Sequence, residues 1–220
     1  MATELIRHEG RGSYMGDVVC YKCKGNAGTY RCNDCFGHEL YCRACVVQNH
    51  ASVPMHQIKQ WNGTFFEAVT LKVLGLRVQL GHGPGQRCIN PTRTESFTVV
   101  DSGGIHEIGL DFCGCETAQT RVKQLLRARM FPATVRDPRT AATFGVLEQF
   151  HLLSLESKVS AYEFYHALKR RLDNTGLCEP KKNVSSNSTD PSLGDGWAYF
   201  VEDGPYKEYL KTRTGERQEV

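Results

Sequence analysis

At 220 residues with 40% hydrophobic content, the chain can form one ordinary domain or two small ones with a modest core, which excludes a disordered tail. Its 27 Lys and Arg against 24 Asp and Glu leave a net charge of +3, so any polyanion site is local rather than spread over the whole chain. The most apolar stretch, Phe65 to Leu80, carries Glu67, Lys72 and Arg77 and falls short of the roughly 20 uninterrupted apolar residues of a membrane span, so no membrane partner is expected. Met1 to Gly10 contains Glu4, Arg7, His8 and Glu9 and lacks a secretory apolar run, so a reducing, intracellular setting is expected.

In chain order, residues 1–17, with Gly10 and Gly12, read as a mobile start, and residues 18–60 hold a cysteine cluster. A β-rich section follows. Phe97, Val99 and Val100, then Asp101-Ser102-Gly103-Gly104, then Ile105, Ile108, Leu110 and Phe112 predict a hairpin. From Gln119 the spacing of Val122, Leu125, Leu126 and Arg129 predicts a helix that Pro132 ends. Asp137 followed by Pro138 predicts an N-cap and first turn, with Phe144, Leu147, Phe150, His151 and Leu155 as the apolar face of a second helix. Ser160 with Glu163 forms a capping box for a third, running to about Asp173 with Tyr162, Tyr165, Leu168 and Leu172 inward. Residues 176–196 read by composition as a flexible linker containing Cys178, and residues 197–220 as a short helix, from Pro205 to Thr212, and a tail.

Six of the ten cysteines fall between Cys20 and Cys45. The order is Cys20-x2-Cys23, Cys32-x2-Cys35, Cys42-x2-Cys45, then His50 and His56. A CxxC turn places two thiolates on one tetrahedral metal, and in a reducing setting three such turns with a trailing histidine pair point to zinc rather than disulfides. Two four-ligand sites fit. The preferred arrangement is interleaved, with Cys20, Cys23, Cys42 and Cys45 on one zinc and Cys32, Cys35, His50 and His56 on the other; sequential sites satisfy the same spacing. All positions are filled by protein, which makes the metal structural rather than catalytic. His38, inside the cluster, reads as an exposed loop histidine.

The spacing resembles a B-box-type cross-braced zinc module, a class that mostly binds proteins. Further motifs lie downstream: Trp61-Asn62-Gly63-Thr64-Phe65-Phe66, Leu74-Gly75-Leu76-Arg77-Val78-Gln79-Leu80-Gly81-His82, Gly104-Ile105-His106-Glu107 and Asp111-Phe112-Cys113-Gly114-Cys115. With Gln124-Leu125-Leu126-Arg127-Ala128-Arg129, Phe131-Pro132-Ala133-Thr134 and the run from Pro138 to Tyr165, they resemble the CxC-type cysteine-cluster domain associated with KDZ (Kyakuja-Dileera-Zisupton) transposases of fungi. The resemblance spans about residues 18–175. It implies a nuclear, zinc-binding region ahead of a ribonuclease-H-like core, whose catalytic carboxylates would lie beyond Val220, so the expectation is a fragment or remnant that is not itself an enzyme.

Cys88 and the Cys113-x-Cys115 pair define a third candidate zinc site, with His82 as the preferred fourth ligand and His106 as the alternative; the competing reading is buried free cysteines. Arg121, Lys123, Arg127, Arg129, Arg136 and Arg139, opposed by Asp137, form the one local cationic excess, suited to phosphate contacts or equally to a solvated helix face. Glu107 and Asp111 share a strand face and read as structural or solvated carboxylates, since no nucleophile or phosphate loop accompanies them.

The expected fold is α+β: a small cross-braced zinc module, a β-rich middle with a hairpin and a helical C-terminal half. Two functions compete: a non-catalytic transposase-type zinc module engaging DNA or chromatin, and a B-box-like adaptor that binds a protein and no nucleic acid. Salt-dependent DNA affinity separates them.

Overall fold

The computed structural model describes residues 2–16, 18–83, 86–172 and 205–214. It is a mixed α and β structure that divides into two compact units, the first comprising Met1–Val78 with Ile108–Asp111 and the second Gln79–Glu107 with Phe112–Val220. The expected linker, with Cys178, lies outside the described residues.

The first unit opens with helix α1 (Ala2–Glu9), within the segment expected to be mobile. Strands β1 (Tyr30–Cys32), β2 (Ile58–Trp61) and β3 (Phe66–Val69) form an antiparallel sheet in that order, with Cys32 opposite Ile58 and Trp61 opposite Phe66. Asn62 folds the β2–β3 turn by accepting the N–H groups of Thr64 and Phe65 on its side-chain oxygen. Helix α2 (Arg43–Asn49) packs on this sheet through Val46, which is fully buried beside Ile58, Leu71, Leu74 and Leu76. Arg31 is buried with its guanidinium 3.9 Å from the Phe66 ring centroid and its Nη1 donating to the Gly10 carbonyl at 3.0 Å. β4 (Arg77–Gln79) begins in this unit, where the Arg77 Nε donates to both Asp111 carboxylate oxygens at 3.0 Å. The expected carboxylate pair is thus structural: Asp111 binds Arg77, and Glu107 accepts from the Ser96 hydroxyl at 2.8 Å.

In the second unit β5 (Pro91–Asp101) and β6 (Gly104–Cys113) form the expected hairpin. Asp101 shapes its turn by accepting the Gly103 N–H at 3.0 Å, and Gly104 adopts φ +136 where an added Cβ would lie 2.7 Å from Leu172. Helix α3 (Arg121–Arg127), strands β7 (Met130–Pro132) and β8 (Thr140–Thr143), and helices α4 (Phe144–Ser157), α5 (Ala161–Leu172) and α6 (Pro205–Thr214) complete it. The five-stranded sheet runs β4-β6-β5-β8-β7, with β5 and β8 parallel and β7 and β8 antiparallel.

Three expectations are corrected here. The helix from Gln119 ends at Arg127 rather than at Pro132, because Arg129 turns with φ +60 and Met130–Pro132 pair with β8. The second helix starts at Phe144, not after Asp137, because residues 140–143 are drawn into the sheet beside Val99 and Val100. Its N-cap is Thr143, whose hydroxyl accepts the Val146 N–H at 3.3 Å and donates to Asp101 at 2.7 Å. On α5 the buried residues are Phe164 and Leu168, whereas Tyr162 and Leu172 are exposed. The capping box is formed as expected: the Glu163 N–H donates to the Ser160 hydroxyl, and Glu163 Oε2 accepts the Ser160 N–H.

The Thr143 hydroxyl joins a helix cap to the hairpin turn, so Thr143→Val is expected to cost about 1–2 kcal/mol in urea unfolding. At the other cap, hydrogen bonds from the Ser160 N–H and hydroxyl hold the Glu163 carboxyl below its ordinary 4.5. A depressed carboxyl stabilises the fold above its unfolded value and loses that contribution as pH falls through the folded one. Ser160→Ala is therefore expected to destabilise at pH 7 and to differ less from the parent in acid, as read by thermal unfolding at both pH values.

Candidate metal centres

Three sets of four side chains converge, and within each set the potential ligand atoms all lie within 4.8 Å of one another. The first set is Cys20, Cys23, Cys42 and Cys45; the second is Cys32, Cys35, His50 and His56; the third is His82, Cys88, Cys113 and Cys115. The first two follow the interleaved arrangement, and the third takes His82 rather than His106, which stays on β6 beside Gly103. His38 pairs edge-on with His8, ring centroids 4.5 Å apart, outside every set.

Local backbone chemistry builds each set. In the first, the Cys20 carbonyl accepts the Lys24 N–H at 3.0 Å while Lys24 turns with φ +56, curling the CxxC so that both thiols face one point. Cys42 caps α2 and Cys45 lies in its first turn, with Cys23 and Cys42 Sγ atoms 3.8 Å apart. In the second, the N–H groups of Asp34 and Cys35 donate to Cys32 Sγ at 3.4 and 3.3 Å, and Asp34 Oδ2 accepts the Gln57 N–H at 2.6 Å, drawing the His56 segment alongside. Cys35 Sγ lies 3.4 Å from His50 Nε2 and 3.3 Å from His56 Nδ1. His50 Nδ1 donates to the Val46 carbonyl at 2.7 Å, which fixes the ring and leaves Nε2 as the ligand nitrogen.

Helix α2 thus carries Cys42 and Cys45 at its start and His50 at its C-cap, so one short helix serves both sets.

In the third set the hairpin strand β6 ends in Cys113-Gly114-Cys115. His82 Nε2 lies 3.2 Å from Cys113 Sγ, and the Cys88 and Cys115 Sγ atoms are 3.5 Å apart. Two features here carry no motif of their own. Buried Gln124 acts as a strand neighbour to Cys113, accepting its N–H at 2.8 Å and donating to its carbonyl at 3.0 Å. Asn90 exchanges hydrogen bonds with Gly114, where an added Cβ would stand 2.8 Å from the Asn90 carbonyl oxygen, so the residue between the two cysteines must be small. Gly81, at φ +80, would carry a Cβ only 2.5 Å from the Cys113 Cβ.

The donor sets fit a tetrahedral thiophilic cation. With Zn–S about 2.3 Å and Zn–N about 2.0–2.1 Å, tetrahedral edges come to about 3.5–3.8 Å, close to the separations here. Electrostatics agree. Burial and the surrounding thiols Cys42, Cys20 and Cys23 push Cys45 up to about 12, whereas at Cys20 the N–H groups of Cys23, Cys42 and Lys22 outweigh burial and lower it to about 6. Cys32 is likewise pushed up to about 12, first by burial, and Cys88 lowered to about 6, where hydrogen bonds from Gly114, Cys115 and His82 outweigh burial. Thiols this crowded cannot all ionise alone, and a divalent cation supplies the charge that lets them. Burial also lowers His50 below its ordinary 6.5, which keeps the imidazole in its neutral, ligating form.

Of the six cations, Arg121 and Arg139 pair with Asp137, the latter through Nε at 3.3 Å; Arg139 is exposed, as are Lys123, Arg127, Arg129 and Arg136. Arg121 also lies over the Phe112 ring, 5.3 Å from its centroid.

Residues 71–176 match the family model described as a CxC2-like cysteine cluster associated with KDZ transposases. The match starts at Leu71, later than the resemblance drawn from about residue 18, and it includes the third set but neither of the first two. No curated protein and no solved structure matches the chain at a significant level.

Cys115→Ser and Gly81→Ala should each lower the bound metal by one ion per chain, counted by elemental analysis, and leave the first two sets loaded. Gln124→Leu, which removes the clamp on Cys113 but no ligand, should weaken metal retention about 10–100-fold in chelator competition.

Proposed function

From a chain that carries a CxC2-like cysteine cluster, we propose that the protein is a non-catalytic zinc module associated with transposase function, holding three structural zinc ions and engaging DNA. The closure of each set by four protein donors supports this most, because a catalytic zinc keeps one position for water or substrate. The ligands are Cys20, Cys23, Cys42 and Cys45 for one ion, Cys32, Cys35, His50 and His56 for the second, and His82, Cys88, Cys113 and Cys115 for the third. Each ion contributes folding energy by stabilising thiolates that otherwise repel. The surface offered to DNA is the exposed group Lys123, Arg127, Arg129 and Arg136, with Arg121 and Arg139 turned toward Asp137. A nuclear location follows from this reading. No helix among the described residues is long and apolar enough to cross a membrane.

A second reading is the protein-binding adaptor. It is favoured by an open, apolar-walled hollow of about 490 Å³ on the first unit, lined by Asn26, Cys42, Arg43, Ala44, Val47 and Leu74, and by Phe36, which is fully exposed beside Cys35. Such a surface suits an apolar protein side chain rather than a phosphate.

Fluorescence anisotropy of the zinc-loaded chain against duplex DNA across a salt series separates the two. Four phosphate contacts give a log–log slope of about −3.6, and Arg127→Ala with Arg129→Ala should flatten it by about 1.8. No binding at low salt would remove the DNA reading and leave the adaptor.

A further inference from the structure

Helix α6 lies beyond the residues that match the family, yet it completes the apolar core of the second unit. Tyr206 and Tyr209 are buried there, with Leu210 packed beside them, while Lys207, Glu208 and Lys211 face outward. This is the i, i+3, i+4 pattern of a helix laid into a groove. The groove walls come from elements of the family segment. Phe131 of β7 meets the Tyr209 ring edge-on at 5.9 Å, Phe144 of α4 lies 5.5 Å from the same ring, and Phe150 meets Tyr206 at 4.8 Å. A polar contact helps orient the helix: the Tyr206 hydroxyl and His151 Nδ1 are 3.1 Å apart.

One observation distinguishes α6 from a permanent core helix: the Tyr209 hydroxyl is buried without a hydrogen-bond partner among the described residues, so the groove seats this ring imperfectly.

We infer that the groove between β7 and α4 is a helix-binding site, and that α6 is an exchangeable ligand carried by the same chain. Its partner is an amphipathic helix presenting two aromatic side chains three residues apart followed by an aliphatic one. Because α6 belongs to the same chain, a free helix must compete with it for the groove. The inference uses none of the metal ligands and does not depend on DNA binding.

A protease site introduced between residues 181 and 200 of the full chain allows the tether to be cut, after which a fluorescent peptide of residues Pro205–Thr214 is titrated in. The cut chain should take up the peptide saturably and the uncut chain much less. A peptide with Tyr209→Phe, relieved of the unpartnered hydroxyl, should bind about 5-fold tighter, and one with Tyr206→Phe, deprived of the His151 contact, about 5-fold weaker. The same cut chain serves for all three peptides, so misfolding of a variant cannot produce the differences among them. A cut chain that never admits the peptide, or one that binds all three peptides equally, would overturn the assignment.

Discussion

Four sulfur or nitrogen donors within 4.8 Å of one another can close around a single cation, and the first unit is built around two such points. Apart from these sets, its apolar core is a small group led by Val46, Ile58, Leu71, Leu74 and Leu76. A core of that size on a three-stranded sheet and a seven-residue helix is marginal. A structural zinc held by either set would contribute on the order of 10–16 kcal/mol, enough to decide whether so small a fold exists. Because α2 reaches one set at its N-cap and the other at its C-cap, ordering either set also orders the helix that the other needs.

The third set rests on a different foundation. Cys113 ends a long strand whose other residues, Ile105, Ile108, Leu110 and Phe112, are buried in their own right, and Gln124 holds its peptide group in place. Here a folded sheet presents the ligands, whereas in the first unit the ligands stand in for much of the core.

Much of this was legible in the sequence for a physical reason. Metal-ligand spacing is a local code, and CxxC turns with a trailing histidine pair identify the eight candidate ligands, although sequential and interleaved pairings share that spacing. The hairpin was equally clear, since Asp101-Ser102-Gly103-Gly104 carries its own turn chemistry. What stayed hidden was tertiary. The segment 140–143 looks like the lead-in to a helix, and only the parallel register with Val99 and Val100 makes it a strand and passes the cap to Thr143. Gln124 and Asn90 support the third set through single contacts distant in sequence, which no spacing rule records. On α5 the pattern placed Leu168 and Tyr165 against the core but also drew in the exposed Tyr162 and Leu172 and passed over Phe164, because apolar spacing alone does not say which of these side chains the core takes.

The first unit is not a continuous piece of chain. Ile108–Asp111, four residues from the middle of β6, belong to it, while the strand's two ends belong to the second unit. The Arg77 guanidinium is satisfied by Asp111 and the Leu110 carbonyl, so a truncation at residue 78 would strand a half-buried cation. The two units are therefore a poor target for shuffling or for independent expression.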